Sequence, residues 1–440
     1  MRPSLLYRAS LALSRPLLPI AALFSPKLRR GHAGKAKSLA RIEAWGRSER
    51  DPRRPLVWFH APSVGEGLQA RSVVSRLRIR HPEWQIVYTY FSPSAEDFAK
   101  TVDADLVDYL PYDSMGAARG LLDSLRPAAL VFTKLDLWPE LATAAFRRGV
   151  KVALIAGTVR PHSSRLGWPA RQVLRPGYQA LSAAAAIAEA DASRLAILGT
   201  NPSSISVLGD PRFDSVLDVV KAIPPDDPLR RFGGGAPTMV AGSTWPGDES
   251  VLLSAFARLH VHRPDARLIL VPHEPTTDHL NGLDQMASRI GLPAPVRLSL
   301  ARGPVPLMVV DQMGILARLY GAGTMAYVGG GFHGAGLHSV LEPAAWGIPV
   351  AFGPRWQESR DASLLLEAGG GEAVAEFGAT EAAETLQTLW EDWIVNEVRR
   401  AAQGRKALGV VQREAGAADR CADLLESLVE AGNPATAQSN

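Results

Sequence analysis

After residue 54 the chain repeats one pattern: a short apolar run, then a segment with helical spacing. PLVWFH, WQIVYTYF, LVDYLPY, AALVFTKL, VKVALIAG and ISVLGD come first. The segment AIPPDDPLRRFGGGAP, rich in Pro, Gly and charge, interrupts the series. It then resumes as PTMVAGS, ARLILVPH, PLMVVDQ, MAYVGGG and IPVAFGP. Such runs read as buried strands, and their alternation with helices predicts parallel, doubly wound sheets. Leu252, Leu253, Phe256 and Leu259 mark the apolar face of the first helix after the interruption. The expected organisation is an N-terminal segment 1–37, a domain 38–222, a linker 223–236, a second domain 237–431 and a disordered tail 432–440. Both domains are α/β, and ligands of such sheets bind beyond the carboxyl ends of the strands. Two such edges facing each other would form a cleft.

Charge separates the N-terminus from the rest. Residues 1–54 hold 13 Lys/Arg and 3 Asp/Glu, and the remaining residues hold 35 and 41. The basic excess therefore belongs to one segment, which argues against nucleic acid as a partner. Within it, the apolar run PLLPIAALF is followed by KLRRGHAGKAK. Against the about 20 residues of a spanning helix the run is marginal. The basic flank argues against cleavage and export. A hydrophobic anchor with a basic collar, held on an anionic cytoplasmic leaflet, is the expectation. A single cysteine, Cys421, makes neither an internal disulfide nor a thiolate zinc site and fits a reducing compartment.

The polar clusters fall just after strands. HAPSVGEG carries Glu66 between Gly65 and Gly67 at a strand-to-helix turn. Ser63 and Glu66 match a capping box, but glycines flanking Glu66 suit close passage of a ligand instead. In the second domain, Ser243 and Thr244 follow a strand and could present hydroxyls to a phosphate. Gly329, Gly330 and Gly331 feed a helix expected to begin near His338 or Ser339, an arrangement suited to anions. Glu342, one turn in, could hold ribose hydroxyls. His338 and Glu342, four apart, would share a helical face. With no second His pair nearby, no metal site is expected.

HAPSVGE, YLPYD, LDLWPEL, GDPRFD, AGST, AYVGGG and GLHSVLEPAAWGIPVAFGP occur in this order. Together they resemble the 3-deoxy-D-manno-octulosonic acid (Kdo) transferases of lipopolysaccharide synthesis, from about residue 38 to about 410. The resemblance implies a GT-B glycosyltransferase that moves Kdo from CMP-Kdo to a lipid A precursor, with inversion and no metal or other cofactor. It implies an enzyme at the cytoplasmic face of the inner membrane. It makes Glu66 the base, a role suited to a carboxylate kept ionised at a helix start. It assigns donor binding to Ser243, Thr244, His273, Gly329, Gly330, Gly331, His338, Ser339 and Glu342. Ser63, Gly65, Lys134, Asp136 and Arg212 stand as acceptor or cleft candidates, with Lys134 and Arg212 as cations for the departing phosphate. The family commonly shows E-T-E before L-W-P, where this chain has Lys134, Leu135 and Asp136. Ser339 replaces the usual asparagine. Rival readings are a nucleotide-sugar 2-epimerase, another GT-B sugar transferase, or a non-catalytic membrane-bound nucleotide-sugar binding protein.

Overall fold

The computed structural model describes residues 5–14, 24–334, 336–374 and 378–431. The chain forms two compact units. The first comprises residues 1–215 and 415–440, the second residues 216–414.

The first unit holds a seven-stranded sheet: β1 (Leu56–His60), β2 (Gln85–Tyr90), β3 (Leu106–Tyr109), β4 (Ala129–Thr133), β5 (Lys151–Gly157), β6 (Ala183–Ala186) and β7 (Ile205–Val207). Its order is β3-β2-β1-β4-β5-β6-β7. All of its pairings are parallel. The second unit repeats the design with β8 (Thr238–Thr244), β9 (Arg267–Pro272), β10 (Val296–Arg297), β11 (Leu307–Val309), β12 (Met325–Val328), β13 (Val350–Phe352) and β14 (Gly371–Ala373). Its order is β10-β11-β9-β8-β12-β13-β14, again parallel. β1 and β4 are buried at every residue, because helices cover both faces. Leu252, Leu253, Phe256 and Leu259 are all in the second core, as their spacing predicts.

Three strands escape the sequence reading. β6 is four alanines, a run with the highest helical propensity. It is extended because it lies between β5 and β7, and tertiary pairing overrides propensity. β10 and β14 are edge strands of two and three residues, too short to show a period.

Both ends of the chain differ from expectation. Within the segment 1–37, expected as a separate anchor, the described residues dock on the first unit. Residues 26–48 form one helix, started by Ser25, whose hydroxyl accepts from Leu28, and by Pro26 at the first position. Gly31, Lys35, Ser38 and Ile42 form its buried stripe. Gly34 lets it lie close, since a Cβ there would stand 2.6 Å from the Tyr109 ring. An Arg41–Asp108 ion pair ties it to β3. The Leu5–Ser14 helix is also docked: the Tyr7 hydroxyl donates to Asp113 at 2.7 Å, and Arg8 pairs with Glu140. Most of the apolar run 16–24 lies outside the described residues. Among those described, no helix is long and apolar enough to cross a membrane.

At the other end, the Ala417–Ala431 helix belongs to the first unit, where 237–431 had been expected to stay together. Asp214 caps it, accepting from the amides of Gly416 (2.7 Å) and Ala418 (3.0 Å). Cys421, Ala422, Leu425 and Val429 enter the first unit's core. The division between units falls at residues 215/216 and 414/415 rather than at 223–236. Phe232, in that stretch, packs with Val240 and Tyr320 of the second unit. Asp227 pairs with Arg318 there at 2.8 Å.

Because Ile42 is fully buried beneath the N-terminal helix, Ile42→Ala is expected to destabilise the first unit by about 2–5 kcal/mol. Denaturant unfolding measures this. A loss near zero would mean that the helix is dispensable, as an independent anchor would be.

Candidate active site

In each unit the strand order reverses beside the unit's first strand, and both candidate clusters lie there. In the first sheet the reversal separates β1 from β4. Ser63 ends the loop after β1 in extended conformation, and the Val64–Arg80 helix begins. Glu66 in its first turn is 8 % exposed. Lys134 follows β4 and has φ +66°, an unusual conformation for a residue with a Cβ. Its amide donates to the Ile155 carbonyl at 2.8 Å. Its ammonium donates to Glu66 Oε1 at 2.9 Å.

The capping box does not form. Ser63 makes no side-chain cap bond, and its hydroxyl donates to Glu66 Oε2 instead. Burial pushes the Glu66 carboxyl up, but Lys134 and Ser63 together bring it below its ordinary value. Glu66 is therefore an oriented, ionised carboxylate. The two glycines beside it have different jobs. A Cβ on Gly67 would stand 2.4 Å from the Phe98 ring and 2.9 Å from the Tyr88 hydroxyl, so Gly67 serves packing. A Cβ on Gly65 would meet only Ser63 Oγ, at 3.9 Å, so the exposed side of that turn is open.

Asp136 and Arg212 are engaged elsewhere. Asp136 pairs with Arg165 at 3.0 Å. Arg212 Nε donates to Asp210 at 2.8 Å, and Gln69 donates to the other Asp210 oxygen at 3.0 Å. Arg212 thus helps to hold a buried carboxylate at the foot of the Val64–Arg80 helix. Three polar atoms on the strands of this sheet escaped the sequence reading. His60 Nε2, the Tyr88 hydroxyl and Thr133 Oγ1 are enclosed without a hydrogen-bond partner among the described residues. His60 Nδ1 lies 3.1 Å from the Thr89 carbonyl, and burial pushes this imidazole down to about 3. It is neutral. Read along the sequence, all three are ordinary members of buried strands.

In the second sheet the reversal separates β8 from β12. Ser243 has φ +54°, at a register shift between β8 and β9. Thr244 is fully buried, and its hydroxyl donates to Glu249 at 2.9 Å rather than facing a ligand. Glu249 also meets His279 at 2.8 Å. The next residue, Trp245, is the centre of an aromatic cluster. His333 stacks on it at 4.0 Å and His273 at 4.8 Å. Its indole N–H donates to His338 Nε2 at 3.0 Å. That bond leaves the His338 proton on Nδ1. Burial, reinforced by His273 and His333, pushes His338 down to about 4.

Asp248 ties the cluster together. Its carboxylate accepts from Tyr327 (2.9 Å), the Trp245 amide (3.0 Å) and the Gly330 amide (2.9 Å). The glycines after β12 are required by packing of backbone on backbone. A Cβ on Gly329 would stand 2.3 Å from the Ser243 carbonyl, and one on Gly331 2.5 Å from Gly353. The helix that follows begins later than expected and runs Leu341–Ala345. His338 and Glu342 therefore do not share a helical face. Ser339 is exposed, and its hydroxyl accepts from the Leu341 amide at 3.4 Å. Glu342 is half-buried beside Tyr320, and burial pushes its carboxyl up to about 7.

The structure thus joins Ser63, Glu66 and Lys134 in one cluster. It joins His273, His338 and the Gly329–Gly331 turn in another. Trp245, His333 and Asp248 were missed. The usable signal was a ring residue in each strand-end segment, GSTW, VPH and GGGFH.

Residues 36–215 match the family model described as 3-deoxy-D-manno-octulosonic-acid transferase. A 3-deoxy-D-manno-octulosonic acid transferase of Bordetella pertussis is 29 % identical over 439 residues, covering 94 % of this chain and 97 % of the relative. The enzyme of the same description from Haemophilus influenzae is 25 % identical, over 85 % and 87 % of the two chains. Among solved structures, the UDP-GlcNAc 2-epimerase of Neisseria meningitidis aligns with a TM-score of 0.60 at 12 % identity, covering 85 % of this chain and all of that one. A glycosyltransferase of Rickettsia africae aligns with a TM-score of 0.56 at 12 % identity, covering 86 % and 99 %. These structures share the fold, a GT-B-like pairing of two α/β units.

Glu342 sets a pH dependence. Its carboxyl stays protonated to about pH 7 in the folded unit, well above the ordinary glutamate value. Stability is then full at low pH and declines as pH rises through that range, by roughly 1–3 kcal/mol. Glu342→Gln is expected to flatten the slope in denaturant unfolding between about pH 5 and 8. Identical slopes in both proteins would assign the titration to another group.

Proposed function

The chain belongs to the 3-deoxy-D-manno-octulosonic acid transferase family, and on that premise we propose that it moves Kdo from CMP-Kdo to a lipid A precursor with Glu66 as general base. The observation that carries the reading is the Glu66 carboxylate, ionised and oriented by Ser63 and Lys134 at the switch point of the first sheet. Each carboxylate oxygen has two lone pairs. Ser63 and Lys134 each take one, which leaves acceptor capacity for a sugar hydroxyl arriving over Gly65.

In this reading the acceptor oxygen attacks the anomeric carbon of Kdo from the face opposite the phosphate, with inversion. The bond to the CMP phosphate breaks and its electron pair leaves with that oxygen. Glu66 takes the hydroxyl proton as the new bond forms. Lys134, half-exposed, supplies a positive charge beside the reacting groups. In the second unit, Glu342 is an acceptor suited to ribose hydroxyls, and the exposed Ser339 hydroxyl lies near it in sequence. His338 presents Nδ1–H as a donor. His273 and Trp245 form the wall behind it. Backbone amides and neutral donors of this kind can stabilise a departing phosphate without a metal.

The basic N-terminus supports a second element of the proposal, attachment to the cytoplasmic face of the inner membrane. Phe24 and Leu28 are 85 % and 52 % exposed, beside Lys27, Arg29 and Arg30. Each basic residue near an anionic surface contributes about 1 kcal/mol. Sedimentation with anionic vesicles should capture the protein and weaken as salt rises. Equal capture by neutral vesicles would remove the electrostatic part of this reading.

The catalytic part is tested with Glu66→Gln. The amide keeps the size of the side chain and can still bond with Ser63 and Lys134, so the melting transition should be kept. Transfer, followed by mass spectrometry of a lipid A precursor incubated with a CMP-Kdo source, should fall roughly 100-fold or more. The wild-type rate should survive excess EDTA. A Glu66→Gln protein that transfers Kdo at the normal rate would end the assignment of the base.

A further inference from the structure

Lys35 lies on the buried stripe of the Pro26–Ser48 helix and is 7 % exposed. Its ammonium stands 3.5 Å from the centre of the Phe91 ring, 5.4 Å from Tyr112 and 5.9 Å from Tyr109. The nearby carboxylates serve other groups. Asp108 pairs with Arg41. Glu96 pairs with Arg30 at 2.9 Å and accepts from Tyr109 at 3.0 Å. Asp113 accepts from Tyr7 and from the amides of Glu140 and Leu141. Among the described residues no anion faces Lys35, and burial alone pushes it down, to about 8. Buried charges are ordinarily paired. Aromatic faces attract a cation, but they do not take up its N–H donors as oxygen acceptors would.

Its surroundings suit an oxyanion. His32, one turn earlier on the same helix, has Nδ1 3.3 Å from the Tyr112 hydroxyl. An ammonium, an imidazole and a phenol therefore converge. They lie along the edge that carries Glu66. Phe91 follows β2 and packs against Trp138 with ring centres 4.8 Å apart. Trp138 in turn meets His60, the last residue of β1, at 5.7 Å. Lys35 is joined to the Glu66 cluster by this continuous row of rings, within one unit.

We propose that Lys35, with His32 and the Tyr112 hydroxyl beside it, forms a subsite for a phosphate monoester carried by the acceptor. The proposal rests on the glycolipid acceptor of the reading above, and adds both that it carries a phosphate monoester and where that phosphate is held. The phosphate supplies the counter-charge that the ammonium lacks. The row of rings between Lys35 and Glu66 offers an apolar surface to the part of the acceptor lying between its phosphate and its reacting hydroxyl.

The test uses the full chain and its Lys35→Met and Lys35→Arg variants. Methionine keeps an unbranched stem against the rings and removes the charge. Binding is measured to detergent micelles carrying a phosphorylated disaccharide glycolipid or the same lipid after phosphatase treatment, with inorganic phosphate as competitor. Lys35→Met should weaken binding of the phosphorylated lipid about tenfold or more, the scale of one lost charge-assisted contact. It should leave binding of the dephosphorylated lipid unchanged, and Lys35→Arg should keep most of the affinity. Equal effects on both lipids, or none, would overturn the subsite and leave Lys35 as a structural cation. Competition by inorganic phosphate as effective as that by the glycolipid would overturn the acceptor as its ligand. If Lys35→Met does not fold, acylation of Lys35 in the wild-type protein decides. Protection by the phosphorylated lipid alone supports the subsite, and no protection overturns it. Kdo transfer is scored separately. A wild-type protein without transfer counts against the proposed function, while the binding difference still judges Lys35.

Discussion

Parallel strands buried on both faces leave polar chemistry one place to gather. Backbone pairing consumes the amides and carbonyls along β1 and β4, and helices cover both surfaces of their sheet. Polar side chains are excluded from the middle and collect where strands hand over to helices. A reversal of strand order opens that edge beside the first strand of each sheet, between β1 and β4 and between β8 and β12. Glu66 and Lys134 come from the two sides of the first opening, Trp245 and the Gly329–Gly331 turn from the two sides of the second. Their meeting is a consequence of topology, because residues 66 and 134 are neighbours only once β4 lies beside β1.

Charge and backbone strain both occur at these openings. Lys134 and Ser243 both adopt positive φ although each carries a Cβ. Such conformations persist only where surrounding structure over-determines them. The amide of Lys134 is held by β5, and Ser243 sits in a register shift between two paired strands. The electrostatic results are opposite in the two units. Glu66 is held ionised by a lysine and a hydroxyl, while Glu342 has no such cation among the described residues and is held protonated into the neutral range by burial. One carboxylate suits proton acceptance, and the other suits neutral hydrogen bonding.

The first unit is completed by the two ends of the chain. The Pro26–Ser48 helix covers the β3 side through Ile42 and Arg41, and the Ala417–Ala431 helix returns to it through Cys421 and Leu425. The returning helix is fixed by polar contacts as well as apolar ones. Asp214 caps its start, and Arg80 pairs with Asp419 (2.7 Å) and Asp423 (2.6 Å) on it. A basic segment that reads as a membrane anchor along the sequence thus supplies both core residues and the Lys35 cradle.

By itself the sequence determined the strand–helix alternation, the presence of two α/β units and the position of Glu66 at a strand end. These are local properties: a continuous apolar run and a glycine-flanked acid keep their meaning wherever the segment is placed. It also carried the ordered motifs by which the family is known. Only the tertiary structure decided what touches what. Four alanines became β6 because β5 and β7 flank them, against their helical preference. Thr244 lost its hydroxyl to Glu249, Arg212 turned to Asp210, and Trp245 drew three histidines from two separate segments around itself. Gly65 and Gly67 look alike in sequence, yet one faces open space and the other faces Phe98. Each of these outcomes depends on a neighbour distant along the chain, and a neighbour's distance is set by packing, which periodicity does not encode.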